Sequence, residues 1–293
     1  MQGLIIENKA NLYKVKTNKK EYTATARGKF KNDNFTPVVG DIAEISVLDE
    51  EKSTAVIENV QNRKTYIKRP KIANITQIIF VVSSKHPKPD LLLLDKQLAF
   101  AEFLKIKPII VLNKIDLDDN QEFINIKKIY ENIGYKVIQT DAKAGIGVEE
   151  LIQELQNNIS AFSGNSGVGK STLINDIFKT TITEEGEVSA KNKKGKNTTT
   201  DIKLYELNEN TYIADTPGFS TFDVYEIPYK ELDKYFVEFN NSIQNCRYIG
   251  CSHIKEEECG VKEKLNNGKI CEYRYNNYVK IYNELKEKED HKW

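Results

Sequence analysis

The chain has 293 residues, room for two or three domains and ample to bury a core without disulfides. Charged residues make up 29% and hydrophobic residues 39% of it, which excludes collagen-like, mucin-like and wholly disordered chains. The 43 basic and 43 acidic residues cancel, so global charge points to no nucleic-acid partner; a partner of that kind would need a local patch.

No apolar run approaches the roughly 18 residues of a membrane span. The start, Met1-Gln2-Gly3-Leu4-Ile5-Ile6-Glu7, lacks the basic residues and long apolar stretch of a signal peptide. The expectation is a cytoplasmic protein, with a monomer as the default and neither membrane nor DNA as a partner.

The first 68 residues carry β-branched and apolar residues at near-alternate positions. Strands are expected over Gly3–Val15, Glu21–Phe30, Asp41–Val47 and Thr54–Val60, separated by turn-forming stretches. Such spacing fits a small all-β barrel, or an antiparallel sheet capping the next domain. The rhythm changes near Arg69-Pro70. Buried strands at Ile78–Val82, Pro108–Leu112, Lys136–Gln139 and Ile159–Phe162 alternate with helices at Asp90–Ile106, Gln121–Ile133 and Val148–Asn157. A helix starts at Lys170, and strands are expected over Thr200–Leu207 and Thr211–Ala214. This βαβα order calls for a mostly parallel sheet with helices on both faces. After Phe222 the rhythm stops: Pro228–Phe239 reads as helical, and Tyr273–Glu289 as a last charged helix. The resulting division is 1–68, 69–225 and 226–293.

The strongest motif is Gly164-Asn165-Ser166-Gly167-Val168-Gly169-Lys170-Ser171, a P-loop between a buried strand and a helix. There, backbone N–H groups and the helix N-terminus can hold phosphate oxygens. Lys170 would neutralise the terminal phosphates and Ser171 would ligate Mg²⁺, with Thr172 beside them. Asn113-Lys114-Ile115-Asp116 follows another buried strand. A carboxylate at Asp116 can accept from N1–H and the exocyclic amine of guanine, a donor pair that adenine lacks. The alternative is a helix-capping carboxylate. In Thr140-Asp141-Ala142-Lys143, a backbone N–H near Ala142 could reach guanine O6. Asp215-Thr216-Pro217-Gly218 sits at a strand end, where Asp215 would hold Mg²⁺ through water and the Gly218 N–H would meet the γ-phosphate. Thr198-Thr199-Thr200 follows a basic run, Lys191, Lys193, Lys194 and Lys196, that reads as a solvated loop. Thr199 is the first choice to complete the Mg²⁺ shell and Thr200 the second, though the run can equally open a strand.

These parts stand in an unusual order. Guanine-nucleotide hydrolases ordinarily run from P-loop through threonine switch and D-x-x-G to N-K-x-D. Here N-K-x-D comes first, as in a circular permutation. All four cysteines lie in the last fifth of the chain. Cys246-x4-Cys251-x-His253-x5-Cys259 matches a closed tetrahedral zinc site, hence a structural one, with Cys271 as the odd thiol that could substitute for a ligand.

With its permuted motifs, the chain resembles the bacterial ribosome small-subunit-dependent GTPase A family. Pro37-Val38-Val39-Gly40-Asp41, Arg69-Pro70 with Ala73-Asn74, Asp215-Thr216-Pro217-Gly218-Phe219 and Arg274-Tyr275-x-x-Tyr278 add to the likeness, which covers nearly the whole chain. The resemblance implies an OB-fold barrel, a permuted GTPase domain and a helical zinc domain. It also implies binding of GTP and GDP, and contact with 16S rRNA through phosphates and shape. The implied action is GTP hydrolysis stimulated by the 30S subunit late in its maturation. The competing reading is a GTP-dependent RNA-binding scaffold with vestigial hydrolysis. Two residues motivate that alternative. Phe219 stands where Ras-like enzymes carry a water-positioning Gln, a feature the family shares. Asn197 stands where the family usually has the His that is its candidate for orienting water. Asn can hydrogen-bond water but cannot act as a base near neutral pH. Asn197→His should therefore raise 30S-stimulated turnover in a phosphate-release assay; unchanged turnover would show that Asn197 limits nothing.

Overall fold

The computed structural model describes residues 1–32, 35–119, 121–185, 202–215 and 224–291. The N-terminal strands are β1 (Gln2–Lys9), β2 (Leu12–Lys16), β3 (Glu21–Ala26), β4 (Ile42–Asp49) and β5 (Thr54–Val60), with a short helix α1 (Lys29–Asn32) before β4. They pair in the order β1-β2-β3-β5-β4, and β4 pairs back onto β1. The ring closes, so the barrel is present rather than an open capping sheet. Alternation does this: in β3, Tyr22 and Ala24 point inward while Glu21, Thr23 and Thr25 are exposed. Ile5, Val15, Ile45 and Ile57 fill the interior from the other strands.

Two expectations need correction. The run Gly3–Val15 is two strands, because Ala10 and Asn11 (φ +47° and +67°) turn the chain into a hairpin. The strand expected to reach Phe30 stops at Ala26, and Phe30 is buried from the helical turn of α1.

A hairpin of β6 (Tyr66–Lys68) and β7 (Lys71–Ala73), turning at Arg69-Pro70, connects the barrel to a second set of strands. Buried Asp41 accepts from the Val38 N–H and from Nε and Nη2 of Arg63, each at 2.8 Å. The Asn74 side chain donates to the Gly40 carbonyl at 2.9 Å and accepts from the Lys64 N–H at 2.8 Å. The stretches Pro37–Asp41 and Ala73-Asn74 are therefore stitched to each other across the junction.

The second set comprises β8 (Gln77–Ser83), β9 (Lys107–Asn113), β10 (Lys136–Thr140), β11 (Ile159–Ser163), β12 (Lys203–Asn208) and β13 (Thr211–Asp215). Their order is β10-β9-β8-β11-β13-β12, with all pairs parallel except β13–β12. Every residue of β8 is buried, as expected for a central parallel strand. Helices α2 (Leu91–Phe103) and α3 (Glu122–Ile133) cover one face, and α4 (Val148–Leu155) and α5 (Lys170–Glu185) the other. The Asp90 carboxylate caps α2 through the Leu93 N–H. The barrel joins the edge of this sheet where β1 pairs with β12 at Glu7 and Lys203.

The C-terminal part holds α6 (Asn240–Ile243), α7 (Gly260–Asn266) and α8 (Glu272–Asp290). Pro228–Phe239 is not one α-helix. It forms two 3-10 segments, Tyr229–Tyr235 and Val237–Phe239, broken at Phe236. The break lets both Phe236 and Phe239 turn into the core against Tyr278.

Arg274 of α8 is 1% exposed, and it enters a pocket between the helices of the parallel sheet and the C-terminal part. Its guanidinium donates to Asp95 of α2 at 2.5 Å and, through two nitrogens, to Glu238 at 2.8 and 2.9 Å. Asp95 also accepts from Tyr130 of α3 and Asn277 of α8, both at 2.7 Å. Burial disfavours charge on Arg274, but the two carboxylates outweigh it and keep the guanidinium protonated. Removing the cation would strand both anions. Arg274→Met is expected to lower stability by about 3–5 kcal/mol in denaturant unfolding. A loss below about 1 kcal/mol would show that the cluster contributes no net stability.

Candidate nucleotide site and metal centre

Three sequence motifs meet at the C-terminal ends of β9, β10 and β11, the side of a parallel sheet where ligands bind. Asn113 ends β9 and is 1% exposed. Its amide nitrogen donates to the Val168 carbonyl of the P-loop at 2.9 Å. Its amide oxygen accepts from the Thr140 hydroxyl at 2.9 Å and the Ala142 N–H at 3.4 Å. One buried amide therefore ties N-K-x-D to the P-loop and to T-D-A-K, with the Ala142 N–H turned toward Asn113. Lys114 reaches across the loop: its ammonium donates to the carbonyls of Gly167 at 2.7 Å and His86 at 2.6 Å.

Only glycine fits at two points of the P-loop. A Cβ on Gly169 (φ +102°) would lie 2.3 Å from the Asn113 amide nitrogen, and one on Gly164 (φ +138°) would lie 2.3 Å from the Val81 carbonyl. Lys170 opens α5, and its ammonium donates to the Gly164 and Asn165 carbonyls at 2.5 and 2.9 Å. Burial lowers its pKa below the ordinary lysine value. Ser166 and Gly167 at the loop tip, and Ser171 and Thr172 in the first turn of α5, are exposed.

Asp116 lies exposed on a 3-10 turn, Ile115–Leu117, in a recess shared with Lys114, Ala142, Lys143, Gly169 and Thr172. The capping alternative belongs to its neighbour: Asp118 accepts from the Glu122 and Phe123 N–H groups at the start of α3. Asp141 accepts from the Lys143 and Ala144 N–H groups and shapes the turn over the recess. That role is local, and its sequence signal is an Asp two residues before a loop N–H. Asp215 closes β13 beside β11. Asn197, Thr198, Thr199, Thr200, Gly218, Phe219 and the lysine run lie outside the described residues.

The metal-binding group is separate. Cys246, Cys251, His253 and Cys259 place their ligand atoms within 4.8 Å of one another. Cys246 Sγ and Cys259 Sγ are 3.9 Å apart, and His253 Nδ1 is 3.5 and 3.3 Å from them. A tetrahedral Zn²⁺ with Zn–S near 2.3 Å needs sulfurs about 3.8 Å apart, so the donor set fits. Cys271 is not in the group; it precedes α8 at the cap position. Burial and the neighbouring thiols push the Cys251 thiol up to about 12 and raise Cys259, so metal binding must displace protons. Two supports of the cluster carry no sequence motif. The Glu256 carboxylate accepts from the N–H groups of Ser252, Ile254 and Lys255, which folds the knuckle. His253 Nε2 faces Asp233 at 3.4 Å. Cys259→Ser should abolish stoichiometric zinc in metal analysis and expose the 246–259 segment to proteolysis; retained zinc would contradict this ligand set.

Family models match two stretches: one described as RsgA N-terminal domain over residues 2–57, and one described as RsgA GTPase over residues 60–225. A small ribosomal subunit biogenesis GTPase RsgA from Ruminiclostridium cellulolyticum is 40% identical over 287 residues, covering 97% of this chain and 94% of that one. The protein of the same name from Clostridium botulinum is 41% identical over 294 residues, covering all of both chains. Among solved structures, YjeQ from Thermotoga maritima superposes with a TM-score of 0.84 at 36% identity, covering 97% of this chain and 98% of that one. YloQ, described as a circularly permuted GTPase, gives 0.81 at 29% identity, covering 98% of this chain and 95% of that one. The permutation expected from motif order is thus also that of a structural neighbour, and the chain belongs to the RsgA GTPase family.

Proposed function

We propose that this protein hydrolyses GTP to GDP and phosphate and acts in the biogenesis of the small ribosomal subunit. The observation that carries the reading is the Asn113 side chain, which bonds the P-loop, Thr140 and Ala142 at once. That contact keeps Asp116, which we read as the guanine-selecting carboxylate, beside the loop that we read as holding phosphates. The names of the relatives supply the client: they are small ribosomal subunit biogenesis GTPases.

In this reading Asn113, Lys114, Asp116 and Ala142 frame the base, and the amides of Gly164 to Thr172 hold phosphates. Lys170 leaves the Gly164 and Asn165 carbonyls for the β- and γ-phosphates, exchanging neutral acceptors for anionic ones. Ser171, Thr199 and Asp215 would hold Mg²⁺, which supplies positive charge at the reacting phosphates. Thr199 and Gly218 would sense the γ-phosphate, and Asn197 would orient water. Zinc would hold the C-terminal part in shape through its four protein ligands, leaving no open position for catalysis. The three units are read as 1–68 for RNA contact, 69–225 for nucleotide and 226–293 for zinc. The further assignments are 16S rRNA as the contact surface, a monomer that binds no DNA, and a cytoplasmic location. Among the described residues no helix is long and apolar enough to cross a membrane.

Asp116→Asn tests the base assignment. An amide donates where guanine also donates, so GTP affinity should fall by roughly 10⁴-fold and xanthosine triphosphate should become the better ligand. Equal affinity for GTP in the variant, measured by titration with a fluorescent analogue, would remove Asp116 from the base site.

A further inference from the structure

β11, the strand that delivers the P-loop, is pinned by a buried Gln–Ser pair on each face. On one side Gln77 of β8 donates to the Ser160 hydroxyl at 2.8 Å and to the Glu154 carbonyl of α4 at 3.0 Å. On the other, Gln97 of α2 donates to the Ser163 hydroxyl at 3.0 Å. All four side chains are at most 3% exposed. Ser163 is the residue before Gly164, so the Gln97 bond acts on the hinge of the phosphate loop. The backbone ladder fixes β11 between β8 and β13, and the Gln97–Ser163 bond adds a directed tie to α2 that the ladder does not supply.

Gln97 stands among Leu94, Leu98 and Ala101, where the helical pattern asks for an apolar residue. Burying an amide there is costly without a partner, and the partner is the strand of the nucleotide site. Two residues earlier on α2, Asp95 holds Arg274 and Asn277 of α8. Lys96 pairs with Glu284 of α8 at 2.5 Å, and Ala99 and Phe100 lie in the apolar core of the C-terminal part. Consecutive residues of one helix therefore grip the C-terminal part and the root of the P-loop.

We propose that α2 is the route by which the C-terminal part acts on the phosphate loop, and that Gln97 is its positioning residue, holding Ser163 and with it Gly164. A load taken up by α8 shifts α2 through Asp95, Asn277 and Glu284, and the Gln97–Ser163 bond carries that shift to the loop. The stimulation arm rests on the ribosomal reading above; the positioning arm does not.

The test uses the full-length, zinc-loaded chain with Gln97→Met, Asn277→Leu and the double variant. GTP and GDP affinities are measured without ribosomes, and phosphate release with and without 30S subunits. Gln97→Met should weaken both nucleotides about tenfold, the scale of one lost buried hydrogen bond, with zinc content unchanged. Asn277→Leu should keep basal hydrolysis and lose at least fivefold in 30S stimulation. The double variant should lose no more stimulation than the worse single variant, because both interrupt one route. Lys96→Gln, which breaks a half-exposed pair, repeats the α8 arm without a buried substitution and should lower stimulation in the same direction. Multiplying losses, or full stimulation in both Asn277→Leu and Lys96→Gln, would overturn the route. Unchanged nucleotide affinity in Gln97→Met would overturn the positioning role, even if 30S subunits stimulate no variant at all.

Discussion

The position of the C-terminal part depends on one buried cation. Arg274 is closed off from water between Asp95 and Glu238, and its charge is tolerated only because both carboxylates meet it at hydrogen-bonding distance. Tyr130 and Asn277 also donate to Asp95, so α2, α3 and α8 share one polar knot. Such a knot has few alternative geometries. It fixes how α8 lies against α2, and α8 in turn carries Tyr275 and Tyr278, whose hydroxyls donate to the His253 and Ser252 carbonyls of the zinc knuckle. The Arg274-Tyr275-x-x-Tyr278 pattern thus has a physical reading: one residue anchors the helix to the nucleotide-bearing sheet, and the two others hold the metal loop.

Reordering the motifs along the chain leaves the site assembled because the sheet, not the chain order, brings them together. β9, β8 and β11 are adjacent and parallel, so N-K-x-D and the P-loop emerge at the same edge whichever is translated first. The permutation changes where the chain goes next. After β13, which ends at Asp215, it runs on to the C-terminal part rather than back into the sheet. Beside that covalent path the structure has a packed one through α2.

Much of this was legible in the sequence because it rests on local patterns. Alternation in Glu21–Ala26, the all-apolar centre of β8 and the glycines at 164 and 169 each reflect a constraint carried by the residues themselves. The metal ligands were legible for the same reason, since Cys and His have few roles at that spacing. The failures were tertiary. Asn11 is a weak local mark for the turn at Ala10-Asn11, and the hairpin there is set by pairing of β1 with β2. Pro228–Phe239 has helical spacing, yet two aromatic side chains must reach the same core, which breaks it at Phe236. Asp95, Gln97, Asp233 and Glu256 gave no signal because their partners lie on other elements or on loop backbone. A buried polar side chain is recognisable only once the group it bonds is known.

The most direct test of a ribosome-stimulated GTP hydrolase is phosphate release from GTP with Mg²⁺, with and without purified 30S subunits, and with ATP as the control. GTP turnover should rise when 30S subunits are added, and ATP should not be turned over. GTP that stays bound and intact on 30S subunits would contradict the hydrolytic role and favour a nucleotide-dependent scaffold, while turnover indifferent to 30S subunits would contradict the ribosomal one.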